Sequence, residues 1–177
     1  MRELTSAPVA PPGDDDHVRG PAGAPLVIVF ADFTCPRCAV TAQRLREAPL
    51  QVCFRHFALR ARHPRALATA LAAEAAGRQG AFWAFHDALY ADQGHLDDPH
   101  LWARCARLGL DVQRFDADRR DPATLTRVER DIGQALRAGA ATTPALLVGG
   151  VLHQGAPDAA FLADAARMDG FGYREKQ

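Results

Sequence analysis

Two cysteines, Cys35 and Cys38, enclose Pro36 and Arg37 in the stretch ADFTCPRCAV, directly after the apolar run Leu26 to Phe30. A pair at this spacing can open and close a disulfide, supply half of a metal site, or simply fill a core. Exchange chemistry needs a sulfur that ionises easily and a second sulfur within reach of it. The first turn of a helix offers both, because its free N–H groups and the helix macrodipole favour an anion at the N-terminus. The dipole contributes about 0.3–1 kcal/mol at an exposed site and up to ~2 in favourable geometry, or about one pKa unit. With the charge of Arg37 added, the Cys35 pKa is expected below the free value of about 8.5, close to or under neutrality. Side chains three apart on a helix have Cβ atoms about 5–6 Å apart, against about 3.5–4.5 Å in a disulfide, so modest tightening closes the ring. Such a bond, with an exposed low-pKa leaving sulfur, exchanges readily. Cys35 would attack and Cys38 resolve, while Pro36 fixes the helix entry without losing a needed donor.

The metal reading rests on Cys53 and His56, which follow Cys38 after fourteen residues at a zinc-ribbon spacing. It requires both side chains to converge. Leu50 to Phe57 reads as a strand, and residues 53 and 56, an odd number apart, then point to opposite faces.

The positioning elements follow from pattern. Pro25 to Phe30 is continuously apolar and β-rich, the mark of a strand buried on both faces in a helix-covered, largely parallel sheet. Pro36 to Glu47 carries Ala39, Ala42 and Leu45 at helical spacing, with proline at the first helical position and Pro49 beyond the end. The cysteines therefore sit at a strand-to-helix junction, and Leu50 to Phe57 completes a right-handed strand-helix-strand unit. Residues 64–138 are Ala-rich with helical periodicity, predicting helices at 64–77, 80–92, 98–108 and 122–138. Pro144 to Val148, the Gly149-Gly150 turn and Val151 to His153 read as a hairpin, and Asp158 to Met168 as a last helix. Residues 1–16, rich in Pro and Asp, read as a disordered tail.

The balance of 21 basic and 21 acidic residues, with pI near 7.1, carries no nucleic-acid or membrane-surface footprint. The opening segment lacks an apolar signal core and no run reaches 18 apolar residues, so a cytoplasmic location is expected. Four cysteines there suit redox or metal work better than a disulfide framework. Cys53 and Cys105 read as core, Phe82, Trp83 and His86 as aromatic packing, and Arg55 and His56 as satisfying local contacts. Glu74 reads as a solvated helix position.

These features together resemble the DsbA-like thioredoxin-fold oxidoreductases, in particular a branch with a DFxCPxC core. The resemblance rests on His17 to Pro21, Asp32 to Cys38, Phe54 to Phe57, Glu74 to Ala76, Phe82-Trp83 with His86-Asp87, Leu108 to Asp111, and Thr143-Pro144. It spans residues 17–168 and implies an α/β thioredoxin fold with an inserted α-helical domain. In that reading residues 17–62 and 139–172 form the thioredoxin domain and 63–138 the insert. It implies a thiol:disulfide oxidoreductase with Cys35 and Cys38 catalytic, a cis Pro144 beside them, and a Thr143 backbone that pairs with an extended substrate. Pro36 and Arg37 would tune the pair, and Glu74 would face it across the domain boundary. Thioredoxin-like proteins often carry a buried acid six residues before the first cysteine. Here that position is Val29, which leaves Asp32 as the nearest acid for a supporting role. No cofactor beyond the Cys35–Cys38 disulfide is implied, with glutathione a possible reductant, and the partners are a protein or peptide thiol or disulfide and a reducing or oxidising protein. Two other readings stay open: a glutathione-dependent isomerase or detoxification enzyme on the same fold, and a non-enzymatic redox-sensing module.

Overall fold

The computed structural model describes residues 9–59 and 63–168. Strand β1 (His17–Arg19) leads into β2 (Leu26–Ala31), helix α1 (Pro36–Glu47) and β3 (Gln51–His56). Helices α2 (Ala66–Gly77), α3 (Phe82–Ala91), α4 (Asp98–Arg107), α5 (Val112–Asp118) and α6 (Pro122–Arg137) follow before the chain returns as β4 (Ala145–Val148), β5 (Val151–Gln154) and α7 (Ala159–Ala165). The strands form one sheet in the order β1-β3-β2-β4-β5.

Only β2 and β3 run parallel, with Val27 opposite Val52 and Val29 opposite Phe54; the other three pairings are antiparallel. The expectation of a largely parallel sheet is corrected accordingly. The apolar run of β2 reports burial on both faces, and the helices deliver that burial whichever way the neighbouring strands run. Val27, Val29 and Ala31 face a core shared with α1, α3 and α7, while Ile28 and Phe30 face a second cluster with Cys53, Ala145 and Leu147. The end of α6 closes that second face through Ala135 and Ala138. The region expected as a separate insert thus contributes its last helix to the sheet. It also holds five helices rather than four, because Asp111 caps the short α5 by accepting from the Arg114 amide. That helix is too short to show a period.

The hairpin turn depends on two glycines with positive φ, +54° at Gly149 and +81° at Gly150. A Cβ at Gly149 would also lie 2.2 Å from the Met168 methyl.

The expected disordered tail is corrected from Val9 onward; residues 1–8 lie outside the described residues, as do 60–62 and 169–172 of the expected thioredoxin domain. Val9 is buried in the second-face cluster. The Arg55 guanidinium donates to the carbonyls of Ala10 (2.9 Å) and Pro11 (3.3 Å) and to both carboxylate oxygens of Asp16 (3.3 and 3.0 Å). A buried cation on β3 has to find acceptors, and the Pro- and Asp-containing segment supplies them. Burial alone would raise the Asp16 pKa, yet the bonds from Arg55 and the Gly13 amide hold it below its usual range. Replacing Arg55 by Met leaves Asp16 buried beside a missing partner and is expected to cost on the order of 3 kcal/mol in chemical denaturation. A loss below about 1 kcal/mol would show that this strap does not hold the fold.

Candidate functional site

Cys35 is the N-cap of α1, with extended backbone (φ −88°, ψ 118°), and Pro36 takes the first helical position. The buried stripe of α1 is Cys38, Thr41, Ala42 and Leu45. Ala42 and Leu45 of the expected stripe are buried, whereas Ala39 is only half-buried and Cys38 takes its place, which puts the second thiol in the core. The turn between β2 and α1 is shaped by Asp32, whose carboxylate accepts from the Thr34 amide (2.8 Å), the Thr34 hydroxyl (2.6 Å) and the Leu59 amide (3.3 Å). The Cys35 amide closes the turn by donating to the Asp32 carbonyl at 3.1 Å. Asp32 thus organises the loop that carries the nucleophile, with both carboxylate oxygens occupied.

From far along the chain, Thr143 and Pro144 arrive beside the sulfur through a cis peptide bond. The Cys35 thiol donates to the Thr143 carbonyl at 3.5 Å, and the Pro144 carbonyl accepts from the Gly155 amide at 2.8 Å. The residues singled out from sequence, Cys35, Pro36, Arg37, Cys38, Asp32, Thr143 and Pro144, therefore form one neighbourhood. Residue exposure separates the two ends of the dipeptide from its middle: Cys35 is 6 % and Cys38 1 % exposed, whereas Pro36 and Arg37 face outward. The expected exposed sulfur is corrected to one largely covered at rest.

All four described cysteines are free thiols. The Cys35 pKa is held down to about 5, first by the hydrogen bond from the Cys38 thiol, against the opposing effect of burial, and then by the Thr143 side chain and the amides of Cys38 and Arg37. The thiol's bond to the Thr143 carbonyl favours the protonated form, but the donors that converge on the thiolate outweigh it. Cys38 moves the opposite way, strongly upward, because it is buried and because it gives its proton toward Cys35. One pair of sulfurs is thereby split into an ionised nucleophile and a protonated partner.

The contribution of Arg37 differs from the expected one. Its backbone amide reaches the thiolate, while its guanidinium lies over the β5–α7 turn, where a Cβ on Gly155 would come within 2.9 Å of Nη2. Glu74 neither faces the dithiol nor stands in water. It is buried and takes His17 Nε2 at 2.9 Å and His56 Nε2 at 2.7 Å. These two bonds keep its pKa far below the carboxylate range despite burial, which acts upward. Cys53 lies in the second-face cluster, opposite Val52 and Phe54, so it does not converge with His56.

The expected aromatic packing of the helical region against the sheet is present, with Phe82 and His86 against Phe54 and His86 against Phe33, but the contacts that reach the dithiol loop were not visible in the sequence. Phe33 stacks on Phe54 (centroids 5.1 Å) and leans on Tyr90 (5.1 Å), whose hydroxyl donates to the Asp32 carbonyl at 3.4 Å. Gln93, just past α3, donates through Nε2 to the carbonyls of Phe33 (2.8 Å) and Cys35 (3.0 Å). His86 is buried among these rings with Nδ1 2.8 Å from Asp87; burial brings its pKa down to about 4. The contacts of Tyr90 and Gln93 join residues about sixty positions apart and leave no local signal.

Residues 50–167 match the family described as the DSBA-like thioredoxin domain, two thirds of the chain. The chain belongs to the DsbA-like thioredoxin domain family. The match starts beyond Cys35 and Cys38, so it covers the framework that receives the dithiol rather than the dithiol itself. Among solved structures, a thioredoxin-like oxidoreductase from Silicibacter pomeroyi DSS-3 superposes with a TM-score of 0.78 at 24 % identity, covering 86 % of this chain and 91 % of that one. DsbA2 of Pseudomonas aeruginosa superposes at 0.68 with 25 % identity, covering 88 % and 94 %. A protein from Salinispora arenicola named Na(+)/H(+) antiporter NhaA 1 is 40 % identical over 154 residues, which is 84 % of this chain and 23 % of that protein. The DsbA-like chain spans about a quarter of the length of the curated relatives it matches.

Two pH measurements check the split of the sulfurs. Alkylation of the reduced protein should inflect near the Cys35 pKa of about 5, with Cys38, Cys53 and Cys105 unreactive until unfolding. An inflection at about 8 or above would refute the arrangement. Since the folded pKa lies below the unfolded value of about 8.5, the stability gained from the thiolate is complete above that value and is lost as pH falls through about 5. The melting-temperature advantage of the reduced protein over Cys35→Ser should shrink across this window.

Proposed function

We propose that the chain is a thiol:disulfide oxidoreductase working through Cys35 and Cys38 on protein or small-molecule dithiols and disulfides. The observation that carries this reading is the placement of Cys35 at the N-cap of α1, its sulfur 3.5 Å from the Thr143 carbonyl, with Cys38 one turn on in the buried stripe of the same helix. In the reducing direction, the Cys35 thiolate attacks one sulfur of a substrate disulfide. A mixed disulfide forms and the other substrate sulfur leaves as a thiolate, which takes up a proton. Cys38 then gives up its proton and attacks the Cys35 sulfur, so that the Cys35–Cys38 disulfide forms and the second substrate thiolate departs. Two electrons pass from the pair to the substrate, and the reverse sequence oxidises a substrate dithiol. The pair is the redox group, with no bound cofactor, and a reducing or oxidising partner, glutathione included, returns it to its starting state. Thr143 and Pro144 would receive the substrate backbone, since they lie against the Cys35 sulfur at the helix cap.

The glutathione-dependent alternative needs no resolving thiol, whereas here Cys38 is built into the core stripe of α1. Cys35→Ser is expected to abolish insulin reduction, and Cys38→Ser to accumulate mixed disulfides visible in non-reducing gels. Full turnover by Cys38→Ser with glutathione would favour the alternative. Unchanged exchange by Cys35→Ser would end the proposal.

A second reading concerns context. The curated relatives are named Na(+)/H(+) antiporters, and this chain corresponds to about a quarter of each. We propose that the domain works alongside a cation antiporter and exchanges with thiols or disulfides of that protein. The check is to express Cys38→Ala in the native host and identify the trapped mixed disulfides by mass spectrometry. Antiporter peptides support the assignment, and their absence among abundant trapped partners refutes it.

A further inference from the structure

The nucleophile's own peptide group is held from outside the thioredoxin sheet. The Cys35–Pro36 peptide has no N–H, so its carbonyl is the polar handle by which its plane can be fixed. Inside α1 that oxygen accepts from the Cys38 amide at 3.0 Å and, at 3.4 Å, from the Ala39 amide. The third donor is Gln93 Nε2 at 3.0 Å, and the same nitrogen serves the Phe33 carbonyl at 2.8 Å. Phe33 falls between the end of β2 at Ala31 and the start of α1 at Pro36, so neither regular element provides a donor for its carbonyl. Gln93 itself sits between α3 and α4, within the helical region. One amide thus clamps the carbonyl of the nucleophile and that of the residue two positions before it.

We propose that Gln93 is a positioning residue for Cys35, a role that rests on the exchange reading above and names a part of its machinery. Pinning the Cys35 carbonyl fixes the N-cap's ψ, and with it the place of Sγ relative to the amides of Arg37 and Cys38. The amide also turns its positive end toward two carbonyl dipoles near the thiolate, adding to the helix amides at Cys35 and supplying the Phe33 carbonyl with a donor that neither regular element provides. Both effects favour the ionised, reduced form. Without the clamp the thiolate becomes a better proton acceptor and the equilibrium of the pair shifts toward the disulfide.

The test uses Gln93→Leu, which removes the donors, and Gln93→Glu, which keeps the shape but offers a carboxylate to the two carbonyls. The reduced proteins are alkylated across pH, and the Cys35–Cys38 pair is equilibrated with glutathione. The alkylation midpoint is expected to rise by about half a pH unit in Gln93→Leu and further in Gln93→Glu. The glutathione equilibrium should move by about threefold or more toward the disulfide, in the same order. A purely structural role would lower the melting temperature of both variants with midpoint and equilibrium unchanged, and that result overturns the proposal. If Gln93→Leu does not fold, Gln93→Met takes its place, with unreactive Cys53 and Cys105 as the mark of an intact core. The alkylation readout needs no exchange activity. A wild type inert toward every dithiol would therefore reject the functional reading, while the Gln93 midpoints still decide the clamp.

Discussion

Two sulfurs one helical turn apart, one able to ionise and the other kept protonated, set the terms for the rest of this molecule. The split requires one sulfur at the helix cap and the other in the buried stripe of the same helix, which Pro36 and the Cys38-Thr41-Ala42-Leu45 spacing provide. It requires backbone amides aimed at the cap, which the extended N-cap backbone and the Asp32 turn provide. It also requires cover from water on the far side, and Thr143 supplies that from a loop 108 residues away. Burial by itself would push both sulfurs toward the neutral thiol; directed donors reverse the outcome at one of them only.

The same pattern of a buried charge resolved by convergent partners recurs away from the dithiol. Arg55 gathers Asp16 and two carbonyls, and Glu74 gathers two histidine rings. Arg19 bridges to Asp87 at 2.9 Å while lying over the Trp83 ring at 4.1 Å. Each of these joins β1 or β3 to a helix of the insert or to the incoming chain. The apolar core supplies bulk cohesion, and these polar ties fix which helix face meets which strand.

Local chemistry was legible in the sequence, and contacts of long separation were not. The β-branched run of β2, the proline at the start of α1 and the Gly149-Gly150 hairpin each follow from physics acting within a few residues. The parity of Cys53 and His56 on β3 separated a metal-like spacing from a convergent site, because strand geometry is that rigid. By contrast, β1 is three residues long and α5 seven, below the length at which periodicity speaks. The composition of residues 9–16 suggested disorder, since nothing near them in sequence reveals that a buried Arg55 waits for their carbonyls. Gln93 in a polar loop has no pattern at all; its meaning arises only when folding brings it to the cap. Arg37 shows the converse, a residue singled out for its charge whose amide turns toward Cys35 while its guanidinium lies by Gly155.

The docked segment at Val9 has a consequence for how this fold is combined with others. Val9 lies with Ile28, Phe30 and Cys53 on one side of the sheet, whereas Cys35 and Cys38 belong to the core on the other. A polypeptide joined ahead of this point would be moored behind the sheet, with the Arg55 strap as its fixed anchorage. Its tether would leave the approach to the dithiol clear, so a neighbouring module and an incoming thiol would not compete for the same space.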